Sequence, residues 1–149
     1  MCIRDRDYTE LLLTAKKRGL KMLCANPDIQ VDRATHRIYC AGAIAEAYNK
    51  MGGEAHNFGK PHTPIYDLAR DRLNSIAGRI VPDTEILCIG DGINTDIRGA
   101  VMEDIDSLFV TGGLAAEETN TREQPDTSKL AKFLNTSQLT PTYSIGHLR

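Results

Sequence analysis

Apolar residues recur along the chain at spacings that alternate between helix and strand periods, and turn residues separate the segments. Residues 7–18 have apolar residues at helical spacing and predict an amphipathic helix, which Gly19 ends. The residues expected on its buried face are Tyr8, Leu11, Leu12 and Ala15. Residues 21–25 form a short apolar run and predict a strand, which ends at the turn Asn26-Pro27-Asp28.

The rest of the chain continues this alternation. Helices are predicted at residues 41–51, from 63 onward, at 95–103 and at 126–134, and strands at 56–58, 86–89 and 107–110. The helix from residue 63 is expected to bury Ile65, Leu68, Ala69 and Leu73. The polar residues 115–126 predict a surface loop. Strands that alternate with helices are typical of an α/β fold with a parallel sheet.

Composition narrows the class of protein. The chain has 149 residues, of which 41% are hydrophobic and 26% charged, and its net charge is −2. This charge gives no field for nucleic acid or an anionic membrane, and no apolar run is long enough to span a bilayer, so we expect neither partner. The first six residues lack the apolar core of a secretory signal, and the four cysteines lack metal-binding spacing. Both features predict a cytoplasmic protein with reduced thiols.

A loop with two carboxylates, Gly90-Asp91-Gly92-Ile93-Asn94-Thr95-Asp96, follows the apolar run Ile86–Ile89. In an open α/β sheet, ligands bind at the carboxyl ends of the strands. A carboxylate at the end of a buried strand is costly to desolvate, and a hard cation such as Mg²⁺ removes that cost. Asp91 is therefore the candidate first ligand. Asp96 is expected either to orient a metal-bound water or Lys60, or to favour the N-terminus of the next helix. A ligand-free turn is the alternative interpretation.

A second motif, Gly59-Lys60-Pro61, precedes the helix that begins near Thr63. A lysine near a positive helix N-terminus is favourable where an anion binds, which makes Lys60 a candidate phosphate ligand. His62 follows the motif and is a candidate substrate contact. The alternative is an exposed lysine in an ordinary turn.

Together these motifs resemble a known family. Gly59-Lys60-Pro61 followed by Gly90-Asp91 and Asp96 is similar to motifs III and IV of the haloacid dehalogenase (HAD) superfamily. Residues 24–28 and 39–43 resemble the cap of class IIA members, the nitrophenylphosphatase-like and sugar-operon phosphatases. Residues 59–66 and 141–144 are similar to one largely uncharacterised bacterial branch of that class.

The resemblance implies an architecture. We expect the C-terminal half of a Rossmann-like, parallel-sheet HAD core, together with the C-terminal part of an α/β C2-type cap. The expected divisions are a non-native leader at residues 1–6, a partial cap at 7–54 and a partial core at 55–149. A homo-oligomer of the full-length protein is a further expectation, because caps in related proteins often mediate dimers.

The resemblance also implies a chemistry. The full-length protein is expected to be a Mg²⁺-dependent phosphatase that hydrolyses a small phosphorylated metabolite through an aspartyl-phosphate. Lys60 would be the catalytic, phosphate-binding lysine, and Asp91 and Asp96 the metal-binding acids. Asn26, Asp28 and His62 are the expected substrate contacts.

The nucleophile motif of this family, Asp-x-Asp-Gly-Thr/Val, is absent from the chain. Asp5-Arg6-Asp7 has the spacing but follows no apolar strand, so it is rejected as the nucleophile. We therefore expect an inactive C-terminal fragment of a longer enzyme. The alternatives are a non-catalytic α/β module that binds phosphate or metal, and a structural domain with accidental motif matches.

Overall fold

The computed structural model describes residues 8–33 and 36–148. The chain divides into two compact units, Met1–Ile65 and Tyr66–Arg149. This division lies later in the chain than the predicted boundary at residue 54, and the assignment of cap and core remains a prediction. The predicted leader at residues 1–6 lies outside the described residues. Along the described chain, no helix combines the length and the apolar character that crossing a membrane requires.

The first unit contains two small sheets and the helices beside them. Its helices are α1 (Thr9–Lys17) and α2 (Ala41–Lys50), and its strands are β1 (Lys21–Cys24), β2 (Gln30–Arg33), β3 (His36–Tyr39) and β4 (Glu54–Asn57). Strands β1 and β4 pair in parallel, whereas β2 and β3 form an antiparallel hairpin. The sequence pattern did not predict this hairpin.

The core of the first unit is small. Its buried apolar residues are Leu12, Cys24, Ala45 and Tyr48. The prediction that Leu11 shares the buried face of α1 is wrong, because its side chain is 64% exposed. Leu11 lies about 100° around the helix from Leu12, and the short α1 buries only a narrow stripe.

The second unit is built on a three-stranded sheet. Helix α3 (Thr63–Ala77) begins in the first unit and continues into the second. The later elements are β5 (Leu87–Gly90), α4 (Arg98–Met102), β6 (Asp106–Val110), α5 (Thr127–Ser137) and β7 (Tyr143–Ile145). The strand order is β5-β6-β7, and all pairs are parallel. The predicted α/β class with parallel strands is confirmed.

Strand β5 forms almost where it was predicted, but it is not a buried strand. Leu87 is 44% exposed and Ile89 is 51% exposed. Side chains alternate across a strand, so these two residues share the face opposite the half-buried Cys88. Within the described residues β5 pairs only with β6, which leaves its other edge open.

The predicted buried face of α3 is only partly right. Ile65 and Leu73 are half-buried, but Leu68 is 57% exposed and Ala69 is exposed as well. The buried residue of this helix is Tyr66, which was not predicted. The reason is its packing against α4: a Cβ added at Gly99 would lie 1.9 Å from the Tyr66 hydroxyl oxygen. Glycine at position 99 thus lets the tyrosine ring fit against α4.

The predicted surface loop at residues 115–126 is partly buried. Ala115 is 3% exposed and packs with Ile97 and Phe109, and Thr119 is 0% exposed. Three threonine hydroxyls form hydrogen bonds with one another in this segment. Thr121 Oγ1 donates to Thr111 Oγ1 at 2.8 Å, and a second hydrogen bond of 2.7 Å joins Thr121 Oγ1 to Thr119 Oγ1. A polar sequence therefore forms a buried, hydrogen-bonded segment.

Candidate functional site

Asp91 directly follows β5, and its carboxylate reaches the loop after β6. The Leu114 backbone N–H donates to Asp91 Oδ2 at 3.1 Å. The two loops approach this closely because residue 113 is glycine: a Cβ there would lie 2.1 Å from the same oxygen. Asp91 Oδ1 accepts no hydrogen bond from residues 8–33 or 36–148. One carboxylate oxygen is thus oriented by a backbone N–H of the described chain.

Asp96 lies in a π-helical turn, Ile93–Ile97, and its side chain folds back over its own loop. The residue is 9% exposed, and its Oδ2 accepts a hydrogen bond from the Gly92 N–H at 3.0 Å. A Cβ at Gly90 would lie 2.2 Å from Asp96 Cγ, so this arrangement requires glycine at position 90. The buried carboxylate therefore helps to fix the loop that carries Asp91.

Lys60 lies in a tight turn after β4. The His62 N–H donates to the Gly59 carbonyl at 3.0 Å, the Lys60–Pro61 peptide bond is cis, and the Lys60 side chain is exposed. Helix α3 then begins at Thr63, as predicted. The backbone position of Lys60 is thus set by a compact turn immediately before a helix.

Gly59 has a packing role that the sequence did not indicate. A Cβ at this position would lie 2.4 Å from Pro27 Cδ and 2.8 Å from the Ala25 carbonyl oxygen. Glycine at position 59 thus leaves room for the chain's own turn. The turn at residues 26–28 is consequently packed beside the turn that carries Lys60.

The three predicted substrate residues lie at this same edge of the first unit. Asn26 Oδ1 accepts from the Asp28 N–H at 3.1 Å, and the Asp28 carbonyl accepts from the Gly42 N–H at 3.1 Å. His62 is half-buried in the turn before α3. Because β1 and β4 are parallel, the residues that follow them share one sheet edge. This edge therefore brings together Lys60 with Asn26, Asp28 and His62.

The loop after β6 is the part of the site that sequence reasoning missed. The sequence predicted only a strand at 107–110 and assigned no role to the Gly112-Gly113 pair after it, yet Gly113 and the Leu114 N–H contact Asp91. The type of a residue does not indicate that its backbone N–H will bind a carboxylate. The glycine pair was therefore the only feature of the sequence that pointed to this contact.

Among residues 8–33 and 36–148, no group of three or more histidine, cysteine, aspartate or glutamate residues is arranged to hold a metal ion. The rejected nucleophile candidates Asp5 and Asp7 lie outside the described residues. The described chain thus offers two acids, Asp91 and Asp96, within one loop.

Comparison with known proteins agrees with these motifs. The family described as HAD-hydrolase-like matches residues 57–135, which include both motifs. An acid sugar phosphatase of Staphylococcus epidermidis is 28% identical over 115 residues, covering 76% of this chain and 42% of that protein. The chain thus spans less than half the length of this curated relative.

The solved structures that resemble this chain include a haloacid dehalogenase-like hydrolase and a phosphatase. A haloacid dehalogenase-like hydrolase from Brucella suis has 38% identity and a TM-score of 0.76, over 99% of this chain and 51% of its own. A p-nitrophenyl phosphatase from Archaeoglobus fulgidus has 22% identity and a TM-score of 0.67, over 92% and 48%, which shows a shared fold. The motifs, the parallel sheet and the family match lead to one conclusion: this chain belongs to the HAD-like hydrolase family.

Proposed function

We propose that the whole protein, meaning this chain with any sequence that adjoins it, is a Mg²⁺-dependent phosphatase. It hydrolyses a small phosphorylated metabolite through an aspartyl-phosphate. The observation that carries this proposal is that the family match at residues 57–135 includes Lys60, Asp91 and Asp96, the residues of the two motifs that resemble the HAD superfamily. The phosphatase names of the relatives support it.

The loop after β5 fits a hard cation. Mg²⁺ takes oxygen ligands, usually one or two carboxylates with phosphate and water oxygens as the rest. Asp91 has one oxygen oriented by the Leu114 N–H, which is how supporting hydrogen bonds prepare a metal ligand. Asp96 is proposed as the second acid. When bound, Mg²⁺ neutralises negative charge on the phosphoryl oxygens.

Lys60 is proposed to bind the phosphoryl group. The N-terminus of α3 carries a partial positive charge, and a lysine in the turn before it adds to the positive potential there, which favours a bound anion. A phosphate monoester is such an anion. In this role the ammonium group stabilises the negative charge that develops as phosphate is transferred.

The nucleophile is proposed to come from a segment outside the 149 residues. Its carboxylate attacks phosphorus, the ester P–O bond breaks and the leaving alkoxide takes up a proton, after which water hydrolyses the acyl phosphate. The open edge of β5 and the exposed Leu87 and Ile89 support further structure beside this strand. The 149-residue chain alone is therefore proposed to be inactive.

The proposed substrate is a small sugar-like phosphate. One relative is named an acid sugar phosphatase. Asn26, Asp28 and His62 offer amide, carboxylate and imidazole groups, which suit the hydroxyl groups of such a molecule. We propose these residues as the substrate contacts.

The direct test is a hydrolysis assay of the purified whole protein. Sugar phosphates and p-nitrophenyl phosphate are assayed after chelation and again after Mg²⁺ is restored. Activity should disappear with chelation and return with Mg²⁺, and residues 1–149 alone should give none. Hydrolysis that is insensitive to chelation contradicts the metal proposal. Turnover by the 149-residue chain that Asp91→Ala abolishes contradicts the proposed external nucleophile.

The substrate contacts are tested separately. Asn26→Ala and His62→Ala should raise KM for sugar phosphates more than KM for p-nitrophenyl phosphate. Asn135→Ala, an exposed substitution on α5, is the matched control and should leave both unchanged. Equal KM values for all three variants and the wild type contradict the assignment.

A further inference from the structure

Arg70 pairs with more carboxylates than any other cation among the described residues of the second unit. It lies on α3, and its side chain is 22% exposed. Its Nε and Nη2 donate to the two carboxylate oxygens of Asp83, each at 3.0 Å. Its Nη1 donates to Glu103 Oε2 at 2.8 Å and to Asp67 Oδ1 at 3.3 Å. One guanidinium group therefore holds three carboxylates.

Two of these carboxylates lie at opposite ends of the segment that carries the metal-binding acids. Asp83 begins the turn before β5, and Glu103 directly follows α4. Asp91 and Asp96 both lie between them. Arg70 thus joins the start and the end of residues 83–103 to one point on α3.

The contact with Glu103 matters because α4 is short. A five-residue helix has almost no stability of its own, so its orientation depends on tertiary contacts. Helix α4 continues directly from the π-helical turn of Asp96. Any rotation of α4 therefore moves Asp96.

Burial adds to the importance of this contact. The Glu103 side chain is 9% exposed, and removing the partner of a buried carboxylate is strongly destabilising. The Asp83 side chain is 40% exposed, and its hydrogen bonds from Arg70 hold the pKa of Asp83 below its ordinary value. The two ends of the segment thus depend on Arg70 to different degrees.

We infer that Arg70 is a positioning residue for the metal site, because it fixes both ends of the segment that carries Asp91 and Asp96. The inference rests on the proposed function. A lysine cannot replace this arginine, because a single ammonium group lacks the planar fork that binds Asp83 through two hydrogen bonds while reaching Glu103.

The test compares Arg70→Lys with Arg79→Lys in the whole protein. Arg79 also pairs with an acid of the turn before β5, Glu85, but none of its hydrogen bonds with the described residues reaches Glu103. In a calorimetric titration, Arg70→Lys should weaken Mg²⁺ binding roughly 10-fold, and the Mg²⁺ concentration that gives half-maximal activity should rise by a similar factor. This factor is the lower end of the range for residues that support metal ligands without binding the metal. The kcat at saturating Mg²⁺ and the KM for substrate should stay near the wild-type values. Arg79→Lys should leave all of these quantities unchanged.

Failure of the proposed function and failure of the inference about Arg70 give different results. A wild type that Mg²⁺ does not activate contradicts both the proposed function and this inference. Normal activation of the wild type with an unchanged Mg²⁺ requirement in Arg70→Lys overturns the inference alone. A fall in kcat and melting temperature without a change in the Mg²⁺ requirement assigns Arg70 a purely structural role and also overturns it. Should Arg70→Lys fail to fold, Asp83→Asn, at the exposed end, decides by the same criterion.

Discussion

The loops that follow β4 and β5 carry the candidate catalytic groups in contrasting ways. After β4, the contacts of Gly59 with Ala25 and Pro27 fix the backbone, and the Lys60 side chain is exposed. After β5, backbone N–H groups bind the side chains themselves: Leu114 donates to Asp91 and Gly92 donates to Asp96. One loop positions a backbone, whereas the other positions carboxylate oxygens.

This difference matches what each group is proposed to do. Mg²⁺ requires near-ideal octahedral ligand geometry, so its carboxylates benefit from being fixed before it binds. A lysine ammonium is a point charge on a flexible stem, and it needs only the correct backbone origin. The metal side of the proposed site is therefore the more sensitive to small shifts in backbone position.

Lys60→Ala gives the largest expected effect in the β4 loop. Removing one group that stabilises the charge of a transition state typically lowers kcat roughly 100-fold. Steady-state hydrolysis by the whole protein measures this, and the Mg²⁺ requirement should not change. Lys132→Ala, an exposed lysine on α5, is the control. A similar loss of activity in the control, or none in Lys60→Ala, removes Lys60 from the proposed chemistry.

Gly90→Ala tests the β5 loop, with a smaller expected effect. The new Cβ would lie 2.2 Å from Asp96 Cγ, which forces the carboxylate to move. We expect a loss of about 1–3 kcal/mol in the free energy of unfolding from overpacking. The Mg²⁺ requirement should rise roughly 10-fold. Urea denaturation and Mg²⁺ titration of the whole protein measure both quantities.

Gly78→Ala is the matched control for that substitution. Gly78 has a φ of +64° and no atom within 4 Å of an added Cβ, so alanine there strains the backbone without a collision. It should lower stability and leave the Mg²⁺ requirement unchanged. An altered Mg²⁺ requirement in Gly78→Ala would mean that general destabilisation, rather than displacement of Asp96, explains the effect at Gly90.

The smallest expected effect concerns the packing behind the β5 loop. Burial raises the pKa of Tyr66 to about 12, with smaller contributions from the nearby acidic groups Cys88, Asp96 and Glu103. The ordinary tyrosine pKa is about 10. The folded state therefore holds this proton more tightly than the unfolded state, and stability should fall as pH rises from about 10 towards 12.

Denaturation at several alkaline pH values tests this expectation. Tyr66→Phe should remove part of the alkaline loss of stability, whereas Tyr143→Phe, at a side chain that is 58% exposed, should not. Identical alkaline profiles for the wild type and Tyr66→Phe contradict the assignment.

The fold could be predicted from the sequence where periodicity is strong. Helix α2 and strand β6 form within one residue of their predicted bounds, because apolar spacing and flanking glycines or turns define them. The hairpin of β2 and β3 and the three-residue strand β7 were missed. They have too little apolar alternation to be recognised without their pairing partners.

Burial was predicted less well than secondary structure. The apolar run at 86–89 was expected to form a buried strand, but Leu87 and Ile89 are exposed. Conversely, Thr119 was placed in a surface loop and is fully buried. Burial depends on which elements pack together and on hydrogen bonds between distant residues, and neither is encoded in a local pattern.

The candidate site, too, was predicted only in part. Side chains with distinctive chemistry, Lys60 and Asp91, were identified from motifs, whereas the Leu114 N–H and the bridging role of Arg70 required coordinates. A backbone donor has no residue signature, and an arginine on a helix resembles many solvent-exposed arginines.

The most direct test of the central claim is calorimetric titration of the whole protein with Mg²⁺, comparing Asp91→Asn with Asp71→Asn. Both substitutions remove one negative charge, and Asp71 is an exposed residue of α3. The account predicts that Asp91→Asn weakens Mg²⁺ binding more than roughly 100-fold, beyond the range for outer-sphere partners, and that Asp71→Asn leaves it unchanged. Unaltered Mg²⁺ binding by Asp91→Asn, or equal weakening by both variants, would contradict it.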